Sequence, residues 1–142
     1  MLMVFLSWTW ITPKWLHTYI TEKKGNAIII DVRTPREHEM GHIPGTDLLI
    51  PHTEIAKRIS EIKADPEKDT VIVYCRSGRR STYAARILEA KGFKHVLNLR
   101  GGIKAWRARG YELVKPERKR ERTRNLERDR NRIRNRQGDN TK

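Results

Sequence analysis

The sequence predicts an α/β domain with a mostly parallel central sheet of about five strands and helices on both faces. Three observations predict it. Short runs of strand character recur at 8–11, 27–32, 47–50, 70–74 and 96–99. Stretches with apolar residues at helical spacing stand between them. The run Ala27-Ile28-Ile29-Ile30-Asp31-Val32 is apolar but for one residue, as expected of a strand covered on both faces in a parallel sheet. Strands alternating with helices give such a sheet, with helices packed on either side. The 142 residues are enough for one domain with its own core.

The chain opens on Met1-Leu2-Met3-Val4-Phe5-Leu6. This segment lacks a basic start and a small-residue cleavage site, so it makes a poor secretory signal. The apolar run ends by Ile11, too short to span a bilayer. Residues 1–10 read as an apolar extension, 11–114 as the domain and 115–142 as a basic tail. Thr12-Pro13 reads as an N-cap with proline at the first helical position. Trp15, Leu16, Tyr19 and Ile20 follow at helical spacing, and Gly25 ends that helix; the aromatics are assigned to the core.

Asp31 is the one charge in its strand. A carboxylate there is costly unless paired. Arg33 and Arg80 are the candidate partners. The equal alternative is a carboxylate that caps the next turn through the N–H groups of Thr34 and Arg36. In both readings Asp31 supports the site and moves no proton. Pro35 to Glu39 forms a short helix stopped by Gly41, Ile43-Pro44-Gly45 a turn, and Asp47 to Ile50 a strand. Ile55, Ile59 and Ile62 predict an amphipathic helix over 53–64. A turn-rich loop over 65–69 leads to the strand ending at Tyr74. The helix beyond Ser81 is expected to bury Tyr83, Ala84, Ile87 and Leu88, with Gly92 as its stop. Gly101-Gly102 makes a tight turn, and Ile103 to Trp106 begins a helix closed by Gly110.

The chain carries 31 Lys and Arg against 17 Asp and Glu, a net charge of +14. Such a protein attracts anions, whether small oxyanions, nucleic acid or acidic surfaces. Residues 116–142 hold 11 basic and 5 acidic residues, and only Leu126 and Ile133 are large and apolar. That segment cannot bury enough surface to offset its ordering entropy, so it reads as a disordered or loosely helical tail. A solvated tail is the default. Arginine-rich segments also bind RNA or DNA through phosphates, but no interleaved aromatics or zinc ligands support nucleic-acid contact through 116–142.

The reactive candidate is Cys75, the single cysteine. With one cysteine there is no internal disulfide, which fits a reducing, cytoplasmic compartment; a cleaved export signal is the alternative. Cys75 lies on a turn between the strand ending at Tyr74 and the helix that follows. Backbone N–H groups and the positive end of that helix point toward such a turn. Arg76, Arg79 and Arg80 lie within five residues of the sulfur. These features favour the thiolate, the nucleophilic form. An inert buried cysteine would not be set among Ser77, Gly78, Ser81 and three arginines.

Cys75-Arg76-Ser77-Gly78-Arg79-Arg80-Ser81 resembles the active-site loop of rhodanese (thiosulfate sulfurtransferase) domains. The run from Asp31 through Gly45, with Asp31-Val32-Arg33 and Gly41-His42-Ile43-Pro44-Gly45, is similar to the family's first signature. Leu99-Arg100-Gly101-Gly102-Ile103-Lys104-Ala105-Trp106 is similar to its C-terminal one. The three occur in the family's order and cover residues from about 11 to 111. Two positions depart from the common pattern: His38 stands where an aromatic is frequent, and Arg100 where an acidic residue is frequent.

The resemblance implies a sulfurtransferase. Cys75 would take a sulfane sulfur from thiosulfate or another donor and pass it to cyanide or a thiol acceptor through a persulfide. Loop N–H groups would stabilise the anionic persulfide. Arg76 and Arg79 would draw in and hold the donor, with Ser77 and Gly78 completing the binding loop, Arg80 bracing it, and Asp31, Arg33 and Ser81 in support. Two-step covalent transfer predicts ping-pong kinetics. No metal or organic cofactor is implied. The histidines at 17, 38, 42, 52 and 95 read as surface or packing residues. A cysteine phosphatase or arsenate reductase is the enzymatic rival. Its loop places five residues between cysteine and arginine, whereas four separate Cys75 from Arg80. A rhodanese-like binding module acting through the tail is the non-enzymatic rival, and the presence of Cys75 weighs against it.

Overall fold

Residues 7–116 and 119–138 are described by the computed structural model of the chain. The expected extension over Met1 to Leu6 lies outside them. The chain runs β1 (Thr9–Ile11), α1 (Pro13–Thr21), β2 (Ile28–Asp31), α2 (Pro35–Met40), β3 (Leu48–Leu49), β4 (Thr70–Tyr74), α3 (Arg79–Ala90), β5 (His95–Leu99), α4 (Gly102–Ala108) and α5 (Lys119–Gly138). The five strands form one sheet in the order β1-β5-β4-β2-β3, and every pairing is parallel.

Alternation along β4 divides the core. Val71, Val73 and Cys75 face one layer, with Ala84, Ala85 and Leu88 of α3 and with Ile55 and Ile62. Ile72 and Tyr74 face the other, with Leu16 of α1 and with Ile103 and Trp106 of α4. Helices thus cover both faces, as the continuous apolar strands require. β4 lies at the centre of the sheet and delivers Cys75 from its carboxyl end, where parallel sheets bind ligands.

Local signals explain most boundaries. Thr12 caps α1 by accepting from the Trp15 N–H, and Pro13 takes the first position, where its missing N–H costs nothing. Thr34 opens α2 with a capping box: its hydroxyl accepts from the Glu37 N–H while the Glu37 carboxylate accepts from the Thr34 N–H.

Several expectations are corrected. α1 ends at Thr21, ahead of Gly25. Residues 53–64 do not form one amphipathic helix. Ile55 and Ile62 are buried, but through turns and a short 3-10 segment, Ile59–Glu61, whose bonds run mostly to the third residue back. Burying these isoleucines was the constraint, and two tight turns after Pro51 meet it. α3 is rotated by about one position from the expected face. Ser81, Ala84, Ala85 and Leu88 are buried, Ile87 is half-buried and Tyr83 is exposed. The small alanines allow close approach to the sheet, and Tyr83 reaches out to pack edge-on against His52.

Strand β1 begins at Thr9, two residues before the boundary the sequence suggests, and half-buried Trp8 packs on the core. His42 and Val114 form an antiparallel bridge that ties the chain's return to the α2 turn. Beyond it, residues 119–138 form a helix where the composition suggests disorder or loose helix. The side chains of residues 124–136 are exposed throughout. Among the described residues no helix is long and apolar enough to cross a membrane.

Candidate active site

Cys75 follows directly on β4, and its side chain is buried. Gly78 turns the loop back. It adopts φ +109°, open to glycine at little cost and strained for any residue with a side chain. The turn brings the Gly78 N–H to 3.0 Å from the Cys75 Sγ. Ser81 Oγ lies 3.4 Å from the same sulfur. Among the described residues, Gly78 is the one loop residue whose N–H bonds the sulfur. The sequence predicts several loop N–H groups around the sulfur, and no other loop N–H among the described residues bonds it.

The Gly78 peptide is itself clamped. Its carbonyl accepts from the Ser81 hydroxyl at 3.2 Å, the Thr82 hydroxyl at 2.7 Å and the Thr82 N–H at 3.1 Å. Asn98 of β5 braces Thr82 by donating to its hydroxyl at 3.1 Å. A peptide held at its carbonyl presents its N–H in a fixed direction. That is the preorganisation needed to stabilise charge on the sulfur.

Helix α4 seals the other side. The Ile103 N–H donates to the Cys75 carbonyl at 2.8 Å and the Lys104 N–H to the Arg76 carbonyl at 3.0 Å. Gly102 permits this contact. A Cβ there would stand 2.4 Å from the Cys75 carbonyl oxygen and 2.5 Å from Arg76 backbone atoms. The Gly101-Gly102 pair is therefore part of the loop's foundation.

The arginines divide into two groups. Arg80 donates to both Glu37 oxygens, at 2.7 and 2.9 Å. Those bonds hold the Glu37 carboxyl down to about 2 and raise the Arg80 guanidinium above its ordinary value. Arg33 donates to both Asp31 oxygens and also to the Gly41 carbonyl at 2.7 Å. Burial alone would lower the Arg33 guanidinium, but its bonds to Asp31 outweigh burial and leave it raised. Arg76 and Arg79 are exposed on the loop with Ser77, and no ion pair among the described residues includes either.

Asp31 takes Arg33, one of its two expected partners, and departs from expectation in place. Arg33 is its partner, while Arg80 is committed to Glu37. Its cap to the following turn is to the Arg33 N–H at 3.0 Å, in place of Thr34 or Arg36. Asp31 lies on the Ile29 and Tyr74 side of the sheet, the face opposite Cys75. It anchors the turn after β2 and does not form the floor under the sulfur.

His38 and Glu37 are the residues the sequence reading passed over. His38 Nδ1 sits 3.0 Å from Asp31 Oδ2, and its ring stacks on His42 at 3.8 Å. Burial pulls the His42 imidazole below its ordinary value. Burial likewise pushes the Tyr74 phenol well above its usual range; its hydroxyl accepts from the Ile43 N–H at 3.1 Å. The signal for Glu37 was present as Thr34-x-x-Glu37, a capping-box pattern. Among the described residues no group of three or more His, Cys, Asp or Glu side chains is placed to hold a metal.

The family model for the Rhodanese-like domain matches residues 12–109. The chain belongs to that family. A protein named sulfurtransferase from Allochromatium vinosum is 45% identical over 92 residues, covering 65% of this chain and 82% of the relative. Thiosulfate sulfurtransferase PspE of Escherichia coli is 43% identical over 75 residues, covering 53% of this chain and 69% of the relative. The crystal structure of a rhodanese-related protein from Thermoplasma volcanium superposes with a TM-score of 0.66 at 27% identity, over 77% of this chain and all of the other. The rhodanese-like match runs from the start of α1 to the end of α4, leaving out β1 and α5.

Proposed function

We propose that this rhodanese-like domain is a sulfurtransferase that carries a sulfane sulfur on Cys75, with thiosulfate as donor. The observation that carries the reading is the Gly78 N–H held at 3.0 Å from the Cys75 sulfur by a peptide clamped at its carbonyl. The names of the relatives support the same chemistry.

The Cys75 thiolate attacks the outer sulfur of thiosulfate. A new S–S bond forms, the old one breaks, and sulfite leaves with its electron pair. The persulfide so formed is anionic, and the Gly78 N–H stabilises its charge. Arg76 and Arg79 hold the sulfonate oxygens of the donor. Arg80 fixes the start of α3 through Glu37 and does not touch the donor. Cyanide or a thiolate then attacks the outer sulfur, and the electron pair returns to Cys75.

Steady-state turnover of thiosulfate with cyanide tests this. Double-reciprocal plots are parallel, as two half-reactions require. Cys75→Ala keeps the circular dichroism spectrum and loses turnover; activity near wild type in that variant sinks the mechanism. Arg76→Ala and Arg79→Ala each raise KM for thiosulfate about tenfold, as loss of a charge-assisted hydrogen bond of about 1.5 kcal/mol would.

A further inference from the structure

The rhodanese-like match ends at residue 109, and helix α5 begins beyond it. Along α5 every side chain from residue 124 to 136 is exposed. We infer that one face of this helix seats in the major groove of duplex DNA and holds its phosphates.

The distribution of side chains around the helix is the first ground. At about 3.6 residues per turn, Arg124, Arg128, Arg132 and Arg136 share an arc of about 140° with Asn125, Asn131 and Asn135. No other residue of 124–136 falls inside that arc; Glu127, Asp129, Leu126 and Ile133 all lie outside it. A helix that meets water alone has no need to sort its charges, and opposite signs at i,i+4 would support it better. Here the i,i+4 row from Arg124 to Arg136 sets arginine against arginine, which opposes the isolated helix. An anion laid along the face removes that repulsion.

Charge complementarity is the second. No ion pair among the described residues includes any of the four arginines. Arg33 and Arg80, by contrast, are each committed to a carboxylate. At about 1.5 Å of rise per residue the four guanidiniums are spread over about 18 Å of helix axis. One small oxyanion cannot meet them all, whereas duplex DNA carries a phosphate charge for about every 1.7 Å of its length. Arginine and asparagine both donate to phosphate oxygens and to base edges.

The residue types that are missing select the kind of partner. Residues 119–138 contain no aromatic residue, so they offer no platform on which the bases of a single strand could stack. Leu126 and Ile133 are the two large apolar residues of α5, too few for the buried face of a membrane-surface helix. A helix with its side chains is about 10–12 Å across and matches the major groove of B-DNA, about 12 Å wide. The major groove of an RNA duplex is deep and too narrow for side chains to read.

The test uses the full chain and a fluorescently labelled DNA duplex of mixed sequence, two turns long, with binding followed by anisotropy over a range of salt. The wild type binds more tightly than about 10⁻⁴ M at physiological salt, and the slope of log K against log salt is about −3 to −4, as four neutralised phosphates require. Arg128→Gln/Arg132→Gln removes two charges from the face. It weakens binding at least about tenfold and makes the slope shallower by about two. Arg130→Gln/Arg134→Gln removes the same charge from outside the arc and changes binding less than about threefold. Glutamine is a good helix former, so both variants keep α5, which circular dichroism checks. Equal weakening in the two variants, or no binding by the wild type, overturns the proposal.

Two further arms separate the partners. An RNA duplex of the same sequence binds at least about fivefold more weakly than the DNA. Equal or tighter binding to RNA overturns the assignment to DNA. Leu126→Gln/Ile133→Gln leaves DNA binding within about twofold of wild type. Loss of DNA binding in that variant, or binding to phosphatidylserine vesicles that is tighter than binding to DNA and is lost with the two apolar residues, assigns α5 to an apolar contact and overturns the proposal.

Discussion

Arg80 grips both carboxylate oxygens of Glu37, 43 residues back along the chain, at 2.7 and 2.9 Å. Glu37 in turn accepts from the backbone N–H of Thr34. The pair ties the first turn of α3, which carries the Cys75 loop, to the turn after β2. It is half-exposed, so its worth to stability is modest.

The acid limb of stability reports this pair. Glu37 titrates near 2 in the folded chain, because of Arg80 first, and near 4.5 when free. As pH falls the unfolded chain takes up that proton first. The pair's contribution is therefore present above about pH 4.5 and is lost between there and about 2. Glu37→Gln flattens the loss of stability over that range, as followed by denaturant unfolding. Unchanged slopes in the variant would show that the pair is not formed in solution.

The Asp31–Arg33 pair behaves differently because it is buried. Side-chain exposure is 6% for Arg33 and 0% for Asp31. Arg33→Met leaves a buried carboxylate with only His38 and a backbone N–H, and should cost about 3–5 kcal/mol in denaturant unfolding. Asp31 faces away from Cys75, so the folded fraction of the variant keeps its sulfur-transfer rate per molecule at low temperature. A variant of full stability would contradict the assigned anchor.

Gly102→Ala places a methyl group 2.4 Å from the Cys75 carbonyl oxygen, in a backbone at φ +60°. Both terms oppose it: αL strain of about 1–2 kcal/mol and overpacking of about 1–3 kcal/mol. The backbone bonds from Ile103 and Lys104 must lengthen or break. Melting temperature and turnover should both fall, with turnover lost even at temperatures where the variant is folded.

His42 gives a second pH signature near neutrality. Burial lowers its folded titration below the ordinary value of 6.5. As pH falls through 6.5 the unfolded chain protonates first, so stability contributed by neutral His42 is lost from there downward. His42→Phe, which keeps an aromatic against His38, should weaken the fall in melting temperature between pH 7 and pH 5. An identical fall in the variant would assign it to other groups.

The order of elements and the place of Cys75 were legible because they rest on local chemistry. Apolar runs such as Ala27 to Ile30 fix buried strands, and Gly78 fixes the turn that aims an N–H at the sulfur. The partner of Arg80 was not legible. Glu37 and Asp31 are both carboxylates near the same turn, and only strand alternation sends Asp31 to the far face. The same limit applies to residues 53–64, where isoleucine spacing marks which residues are buried and not how the backbone reaches them. His38 read as a surface or packing residue with no named partner, because its contact with Asp31 requires α2 to fold back over the end of β2.

The most direct test of sulfur transfer is the intact mass of the protein after thiosulfate, before and after cyanide. The account predicts a gain of one sulfur atom, its removal by cyanide, and no gain in Cys75→Ala. An unchanged mass in folded wild-type protein, or the same gain in Cys75→Ala, would contradict it.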